Sequence, residues 1–247
     1  MGIKERVTSI LLLLFLMGGI EREPVLLSQE LLEIFELPAN TKTRSTLRAL
    51  IKKEYIESVG REKQSYRITS KGIKELSLSF PYVRFTSDKW DGKWRIVSYE
   101  IPESKRKMRD TLRRKMVSWG LGPWHRSFWI TPHPIIAELI GILDVMVPGE
   151  YVQAFESEHV VGERTILIDK VWKRSELEKE YRKLFKTWHT ILSEEATQTK
   201  KLQMVLFAFV EVLKNDPGLP VELLGKDWVG YESMGIFQDI RRILYTQ

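Results

Sequence analysis

The sequence predicts an α+β protein with three parts: an N-terminal winged helix-turn-helix, a central ferredoxin-like α+β domain and a C-terminal helical domain. Three observations predict this class. Residues 1–78 show three helical periodicities followed by a hairpin pattern, residues 93–172 mix strand-like and helical runs, and residues 173–247 have helical spacing. The tract over 79–92 combines proline, aromatic and turn residues, and we interpret it as a linker.

The composition of the chain excludes several classes of function. The chain has 247 residues, 43% of them hydrophobic, and 39 Lys plus Arg against 33 Asp plus Glu, which leaves a net charge of +6. Because it has no cysteine, disulfides, cysteine-ligated zinc, iron–sulfur clusters and a thiol nucleophile are excluded. No two of its four histidines stand three or four residues apart, as a helical metal site would need. We therefore predict no metal site, no cofactor and no catalytic residue.

A short apolar run near the N-terminus allows two interpretations. Residues 10–17 are all apolar and follow Lys4 and Arg6, which is the order found in a signal peptide. The run is much shorter than the ~20 apolar residues that a membrane span needs, and a charged segment over 21–23 follows it. We predict the buried first helix of the N-terminal domain, no membrane partner and a cytoplasmic location.

Two further helices of the N-terminal domain are predicted from caps and spacing. Residues 28–35 form the second helix, with Ser28 as its N-cap. The third helix starts near Thr41 and has an apolar stripe on one side and basic residues around the remainder. The apolar stripe consists of Leu47, Leu50 and Ile51.

A basic hairpin is predicted to follow the third helix. Residues 55–59 and 65–69 are strand-like runs joined by a charged turn at 60–64. Within the window 38–72, nine basic residues stand against three acidic ones, so this window carries a net charge of +6, as much as the whole chain. A solvated helix face is the ordinary meaning of such charge, but here the helix order, the charge and the hairpin agree. We therefore predict that this domain binds double-stranded DNA.

The candidate DNA-binding residues fall into two groups by position. Those at the start and along the outer face of the third helix are placed to reach base edges in a major groove. They are Thr41, Lys42, Thr43, Arg44 and Arg48. Those at the helix end and on the hairpin are long cations suited to phosphates or to the minor groove. They are Lys52, Arg61, Lys63 and Arg67.

The central domain is predicted from a strand-helix-strand order that occurs twice. The strand-like runs are 94–101, 127–131, 151–155 and 165–168, and the helical runs are 103–119 and 134–147. Gly120 and Gly122 end the first of these helices. From residue 173 onward the spacing is helical, with a mostly apolar and therefore buried segment at 201–213 and an amphipathic helix at the end.

The first helix of the central domain carries a second basic cluster. Between residues 105 and 115 it has seven Lys or Arg residues against Asp110 alone. Three interpretations stay open: Arg106, Arg109 and Arg113 bind the phosphates of a small-molecule effector, the cluster touches DNA beside the site bound by the N-terminal domain, or it is a solvated helix face.

Two long segments resemble one known family. Residues 90–134 (WDGKWRIVSYEIPESKRKMRDTLRRKMVSWGLGPWHRSFWITPHP) resemble the central domain of the PaaX family, the repressors of phenylacetic-acid degradation. Residues 216–244 (DPGLPVELLGKDWVGYESMGIFQDIRRIL) resemble its C-terminal signature, and residues 172–185 are also similar. The resemblance implies a homodimeric transcriptional repressor that leaves its DNA operator when it binds a thioester of coenzyme A (CoA), typically phenylacetyl-CoA. The effector phosphates held by Arg106, Arg109 and Arg113 would then be those of CoA.

Two rival functions share this predicted fold. The central domain also resembles the ferredoxin-like endoribonucleases of CRISPR adaptation, in which a carboxylate at the end of the first strand holds a divalent metal. Glu100 occupies that place in this sequence, and an ion pair with a nearby Lys or Arg is its simpler interpretation. The other rival is a DNA-binding adaptor that has no small-molecule effector.

Overall fold

A computed structural model describes residues 1–60, 65–86, 89–137, 140, 141 and 147–245, and in it the chain begins with helices around a small sheet. Helices α1 to α4 are Ile3–Gly18, Gln29–Ile34, Thr41–Lys52 and Ser70–Leu76, and strands β1 to β3 are Val25–Leu26, Ile56–Val59 and Ser65–Ile68. The strands form an antiparallel sheet in the order β1-β3-β2. The predicted helices and hairpin strands of this region are therefore present. The hairpin tip, with Arg61 and Lys63, lies outside the described residues.

The helices of this region begin where capping residues satisfy free backbone N–H groups. Ser28 Oγ accepts a hydrogen bond from the N–H of Leu31 at 3.1 Å, and Asn40 Oδ1 accepts one from Thr43 at 3.1 Å. The apolar run at 10–17 lies in α1, and all eight of its side chains are buried, as predicted. None of the described helices is long and apolar enough to cross a membrane.

The central sheet has a ferredoxin-like strand order. Strands β4 to β7 are Lys93–Tyr99, Gly122–His125, Phe128–Thr131 and Val152–Glu158, and helix α5 is Arg106–Ser118. All pairs are antiparallel, in the order β5-β6-β4-β7. A helix follows the first strand, as predicted, and a hairpin joins the next two strands, where the sequence predicted a single strand at 127–131. Half of the second helix, predicted over 134–147, lies outside the described residues.

Two predictions for the central domain are wrong. The strand predicted at 165–168 lies within helix α6, Arg164–Trp172, in which Ile168 and Val171, one helical turn apart, are both buried. The prediction also overlooked strand β5, because its glycine and proline resemble a loop. As an edge strand, β5 tolerates Pro123.

The remaining helices are divided between two units of the structure. Helices α7 to α10 are Arg174–Ser193, Gln198–Leu213, Val221–Leu224 and Val229–Leu244. The N-terminal unit consists of Met1–Ser79, Lys179–Lys214 and Val229–Gln247, and the central unit consists of Phe80–Glu178 and Asn215–Trp228. The boundaries predicted at residues 78, 92 and 172 stay a prediction.

Within the N-terminal unit, the last helices of the chain bond to the first. The Gln238 side-chain amide donates to the carbonyl of Leu16 at 2.7 Å, near the end of α1. Ser28 Oγ and Tyr245 Oη are 2.9 Å apart, and Thr199 Oγ1 donates to Glu30 at 2.6 Å. Helices α8 and α10 thus complete the fold that presents α3.

The central unit encloses an arginine on β4. The Arg95 side chain is 4% exposed and donates to Asp91 at 2.6 Å and to Glu156 at 3.0 Å. Burial alone would lower the pKa of this guanidinium, but the two carboxylates outweigh burial and raise its pKa. The positive charge of this buried side chain is therefore balanced by the carboxylates of Asp91 and Glu156.

The central unit also encloses a histidine. His133 is 1% exposed, and burial together with the positive charge of Arg84 lowers its pKa to about 3. The backbone of Pro217 and Gly218 acts in the opposite direction and raises the pKa of this ring. Gly218 has φ +64°, and a Cβ there would lie 2.2 Å from the Pro81 carbonyl oxygen, so the segment 215–228 packs too closely for a side chain at this position.

Candidate functional site

Helix α3 has one face inside the N-terminal unit and one face in solvent. Leu47 and Leu50 are buried, together with Thr43 and Thr46, which stand on the same side at helical spacing. The opposite side is exposed and carries the predicted DNA-binding side chains. These exposed residues are Thr41, Lys42, Arg44, Arg48 and Lys52.

The cations on the outer face of α3 are not neutralised by neighbouring carboxylates. Within the described part of the chain, the side chains of Lys42, Arg44, Arg48 and Lys52 make no ion pair. They extend over about 15 Å of helix axis at the 1.5 Å rise of an α-helix. A DNA duplex carries one negative charge per ~1.7 Å of its axis, and its major groove of ~12 Å admits a helix. This face has the charge and size to lie in a major groove.

Thr43 was predicted to face outward, but the structure places it inside. Its side chain is 2% exposed, and its hydroxyl donates to the Pro38 carbonyl at 2.6 Å. Its backbone N–H is bonded to the capping Asn40. Thr43 therefore fixes the entry to α3 and does not reach a base edge. The reason is its position on the helix, two residues beyond Thr41 and close to the buried stripe.

The structure describes only one of the three predicted hairpin cations, Arg67, and this one is already in an ion pair. Arg67 on β3 lies opposite Glu57 on β2, and the two side chains form an ion pair at 3.0 Å. The side chain of Arg67 is 41% exposed, so solvent screens this pair and the guanidinium can still approach a phosphate. Arg61 and Lys63, the other predicted hairpin cations, lie outside the described residues.

A polar cavity lies where β4 ends and α5 begins. Its volume is about 490 Å³, and it gathers three arginines and two glutamates. These charged residues are Glu100, Glu103, Arg109, Arg113 and Arg126. The structure thus brings together Arg109 and Arg113 of the predicted effector residues. Arg106 does not line the cavity and pairs with Asp110 at 3.6 Å.

The charges in the polar cavity are partly paired. Arg109 Nη1 donates to Glu103 at 2.6 Å, and this hydrogen bond raises the pKa of Arg109 and lowers that of Glu103. Arg113 and Arg126 form no ion pair within the described residues. Arg126 is not among the predicted effector residues, because it follows β5, whose glycine and proline resemble a loop.

Glu100, the candidate metal ligand, lies exposed at the end of β4. Its backbone N–H donates to the Tyr151 carbonyl at 2.8 Å, which joins this strand end to the segment before β7. Among the described residues, no three His, Asp or Glu side chains form a group that could hold a metal ion. Glu100 shares its cavity with arginines, which are natural partners for its carboxylate.

Comparisons with known proteins match both the central and the C-terminal parts of the chain. Residues 87–166 match the PaaX protein central Cas2-like domain, and residues 172–247 match the PaaX-like protein C-terminal domain. A solved structure, the uncharacterized protein Rv0674 from Mycobacterium tuberculosis, aligns with a TM-score of 0.54 and 17% identity over 93% of this chain and 92% of that chain. At this identity the likeness concerns the fold alone. No curated protein sequence matches the chain.

Proposed function

The chain belongs to the PaaX family, and from this premise we propose that it is a DNA-binding transcriptional repressor rather than an enzyme. The N-terminal unit carries the DNA-binding part of the proposal, as a winged helix-turn-helix. Its elements follow in the order α1, β1, α2, α3, β2, β3, with the hairpin paired to β1 in one sheet. In this arrangement α3 is the recognition helix and the hairpin of β2 and β3 is the wing.

One observation carries the DNA-binding proposal: the outer face of α3 holds exposed cations that have no carboxylate partner among the described residues. A surface of unpaired cations releases counterions when it meets phosphates, which favours binding to a duplex. We assign base contacts to Thr41, Lys42, Arg44 and Arg48, and phosphate contacts to Lys52 and Arg67. Arg61 and Lys63 stay predicted phosphate contacts of the wing.

The regulatory part of the proposal follows from the family resemblance. The protein acts as a homodimer on a two-fold operator and is released by an acyl-CoA thioester such as phenylacetyl-CoA. Release requires that the thioester bind the free conformation more tightly than the DNA-bound one. The polar cavity supports an anion site for the phosphates of CoA, with Arg109 and Arg113 as its residues. Arg106, turned toward Asp110, is not part of this site.

The test of the proposed function is a footprint of the full-length protein on the DNA upstream of its own gene, repeated with CoA thioesters. We expect a protected site of two similar half-sites, which disappears when the correct thioester is added. Arg44→Ala should lose or broaden the protected site, whereas Arg113→Ala, an exposed and unpaired arginine on α5, should keep it. A site that survives Arg44→Ala unchanged, or no protected site at all, would overturn the assignment of α3.

A further inference from the structure

An apolar cavity separate from the polar cavity lies on one face of the central sheet. Trp94 and Ile96 of β4 line it together with Ile130 of β6, which is the direct cross-strand partner of Ile96. Trp124 of β5 and Ile166 of α6 complete its main walls. The volume is about 410 Å³. We call this space the Trp94 cavity, and all its lining residues belong to the central unit.

We propose that the Trp94 cavity binds the uncharged aromatic group of a small ester or thioester. This proposal rests on the proposed function in one respect, since it assigns the place where the acyl part of the effector sits. The volume falls in the range of ~300–1,000 Å³ that is typical of small-molecule sites. A dry apolar cavity of ~150 Å³ already accepts benzene, so the Trp94 cavity has room for a phenyl ring and the carbonyl that follows it.

The walls of the cavity are aromatic and held in place. The Trp94 ring is stacked on Trp172, with 6.0 Å between ring centroids and 22° between planes, and Trp90 lies 5.5 Å away. Trp124 is held edge-on by Phe128 at 5.6 Å. A ligand ring therefore meets surfaces that are already ordered, and it gains the offset or edge contacts that aromatic pairs prefer.

The charges at the border disfavour a free carboxylate beside the aromatic group of a ligand. Glu158 and Glu163 line the cavity against a single cation, Lys170, so the border is negative by one charge. The His159 ring nitrogen Nε2 is bonded to the Gly162 carbonyl at 2.9 Å. A free carboxylate would be repelled by the two glutamates, whereas the carbonyl of an ester or thioester would not.

The same border disfavours a second copy of the chain as the occupant. A partner docked with its two-fold axis through this border would bring its own Glu158 and Glu163 against those of the first copy. Val160 and Val161, which are 89% and 87% exposed, stand at the rim and enlarge the apolar surface available to a small ligand. Self-association through this face is therefore a competing outcome of the test.

The test is calorimetric titration of the full-length protein with three probes: phenylacetyl-CoA, the neutral methyl phenylacetate, and phenylacetate. We expect phenylacetyl-CoA and methyl phenylacetate to bind, and phenylacetate to bind at least tenfold more weakly than methyl phenylacetate. Ile166→Glu, at a 66% exposed cavity position, should weaken the binding of methyl phenylacetate at least tenfold. Val117→Glu, at a 59% exposed position on α5 outside the cavity, should change the affinity for methyl phenylacetate less than twofold.

Three results would overturn the proposal. They are no binding of phenylacetyl-CoA or of methyl phenylacetate to the wild type, equal affinity for methyl phenylacetate in Ile166→Glu and wild type, and phenylacetate binding as tightly as the ester. Sedimentation velocity on the same variants identifies the competing occupant, because a dimer lost in Ile166→Glu with ligand affinity retained would make this face a subunit interface. Failure of the footprint with ligand binding intact would refute the proposed function and leave the cavity assignment standing.

Discussion

The two basic helices, α3 and α5, look alike in sequence and differ in how their charges are used. On α5, Arg109 bonds to Glu103 at 2.6 Å and Arg106 pairs with Asp110 at 3.6 Å. On α3 no described cation has a carboxylate partner, and the sequence from 38 to 53 contains no acidic residue. The net charge of a helix therefore does not tell how many of its cations are free to contact DNA. Carboxylates placed beside the cations form ion pairs and reduce that number.

The largest expected effect comes from reversing the charge of α3. The double variant Arg44→Glu, Arg48→Glu should lose at least about 100-fold in operator affinity, since it removes two contacts and adds repulsion from phosphates. The matched variant on α5, Arg113→Glu with Arg114→Glu, should change affinity less than about threefold. Fluorescence anisotropy with labelled operator DNA at fixed salt measures both. Equal losses in the two double variants would mean that α5 is also a DNA surface.

The second-largest effect concerns the pH dependence of stability that the buried His133 of the central unit should cause. His133 has a pKa of about 3 in the folded chain, below the usual value of 6.5 that it regains on unfolding. Unfolding therefore takes up a proton once the pH falls below 6.5, and the free energy of unfolding should drop by about 2 kcal/mol between pH 7 and pH 5.

Paired variants separate His133 from other acid-sensitive groups. Urea denaturation, followed by tryptophan fluorescence at both pH values, should show that His133→Gln loses most of this pH dependence. His125→Gln, at an exposed histidine of the same unit, should keep it. If His133→Gln retains the full decrease, the buried imidazole is not its source.

A smaller effect should separate the two threonines at the start of α3. Thr43→Ala removes a buried hydrogen bond to the Pro38 carbonyl and should lower the free energy of unfolding by about 1–2 kcal/mol. Thr41→Ala, at an exposed position, should change stability by less than about 0.5 kcal/mol and act on operator affinity instead. Chemical denaturation and anisotropy on both variants test this, and the reverse pattern would contradict the orientation of α3.

The smallest expected effect comes from freeing the paired cations of α5. In Glu103→Ala with Asp110→Ala, Arg106 and Arg109 lose their carboxylate partners, so α5 becomes more like α3. We expect affinity for non-specific DNA to rise about two- to threefold at low salt and the rise to vanish at high salt. A salt titration of DNA binding measures it. No rise at low salt would show that the acids are not what limits α5.

Much of the N-terminal fold was predictable because its signals are local. Ser28 marks the start of α2 through its own side chain, and the spacing of Leu47 and Leu50 identifies the buried face of α3. No local sequence pattern predicts that α8 and α10 form hydrogen bonds with the first helices. The hydrogen bond from Gln238 to Leu16 connects residues that are 222 positions apart, and nothing near either residue in the sequence indicates the other.

The errors in the central domain also have a local cause. Gly122 resembles a helix stop, but a Cβ there would lie 2.1 Å from Val171 of α6, so close packing between β5 and α6 requires glycine. Thr165 and Ile166 favour strands by propensity, and the burial of Ile168 and Val171 makes the segment helical instead. Overlooking β5 also left Arg126 out of the predicted site.

The division of the chain into units has a consequence for inheritance. The polypeptide passes from one unit to the other after residues 79, 178, 214 and 228. Neither unit therefore corresponds to an uninterrupted stretch of the gene, and a recombination event that moved only the first 79 codons would leave behind α8 and α10, which complete the α3 scaffold. A chain built this way is expected to be inherited as a whole, because neither unit can be exchanged as one contiguous segment.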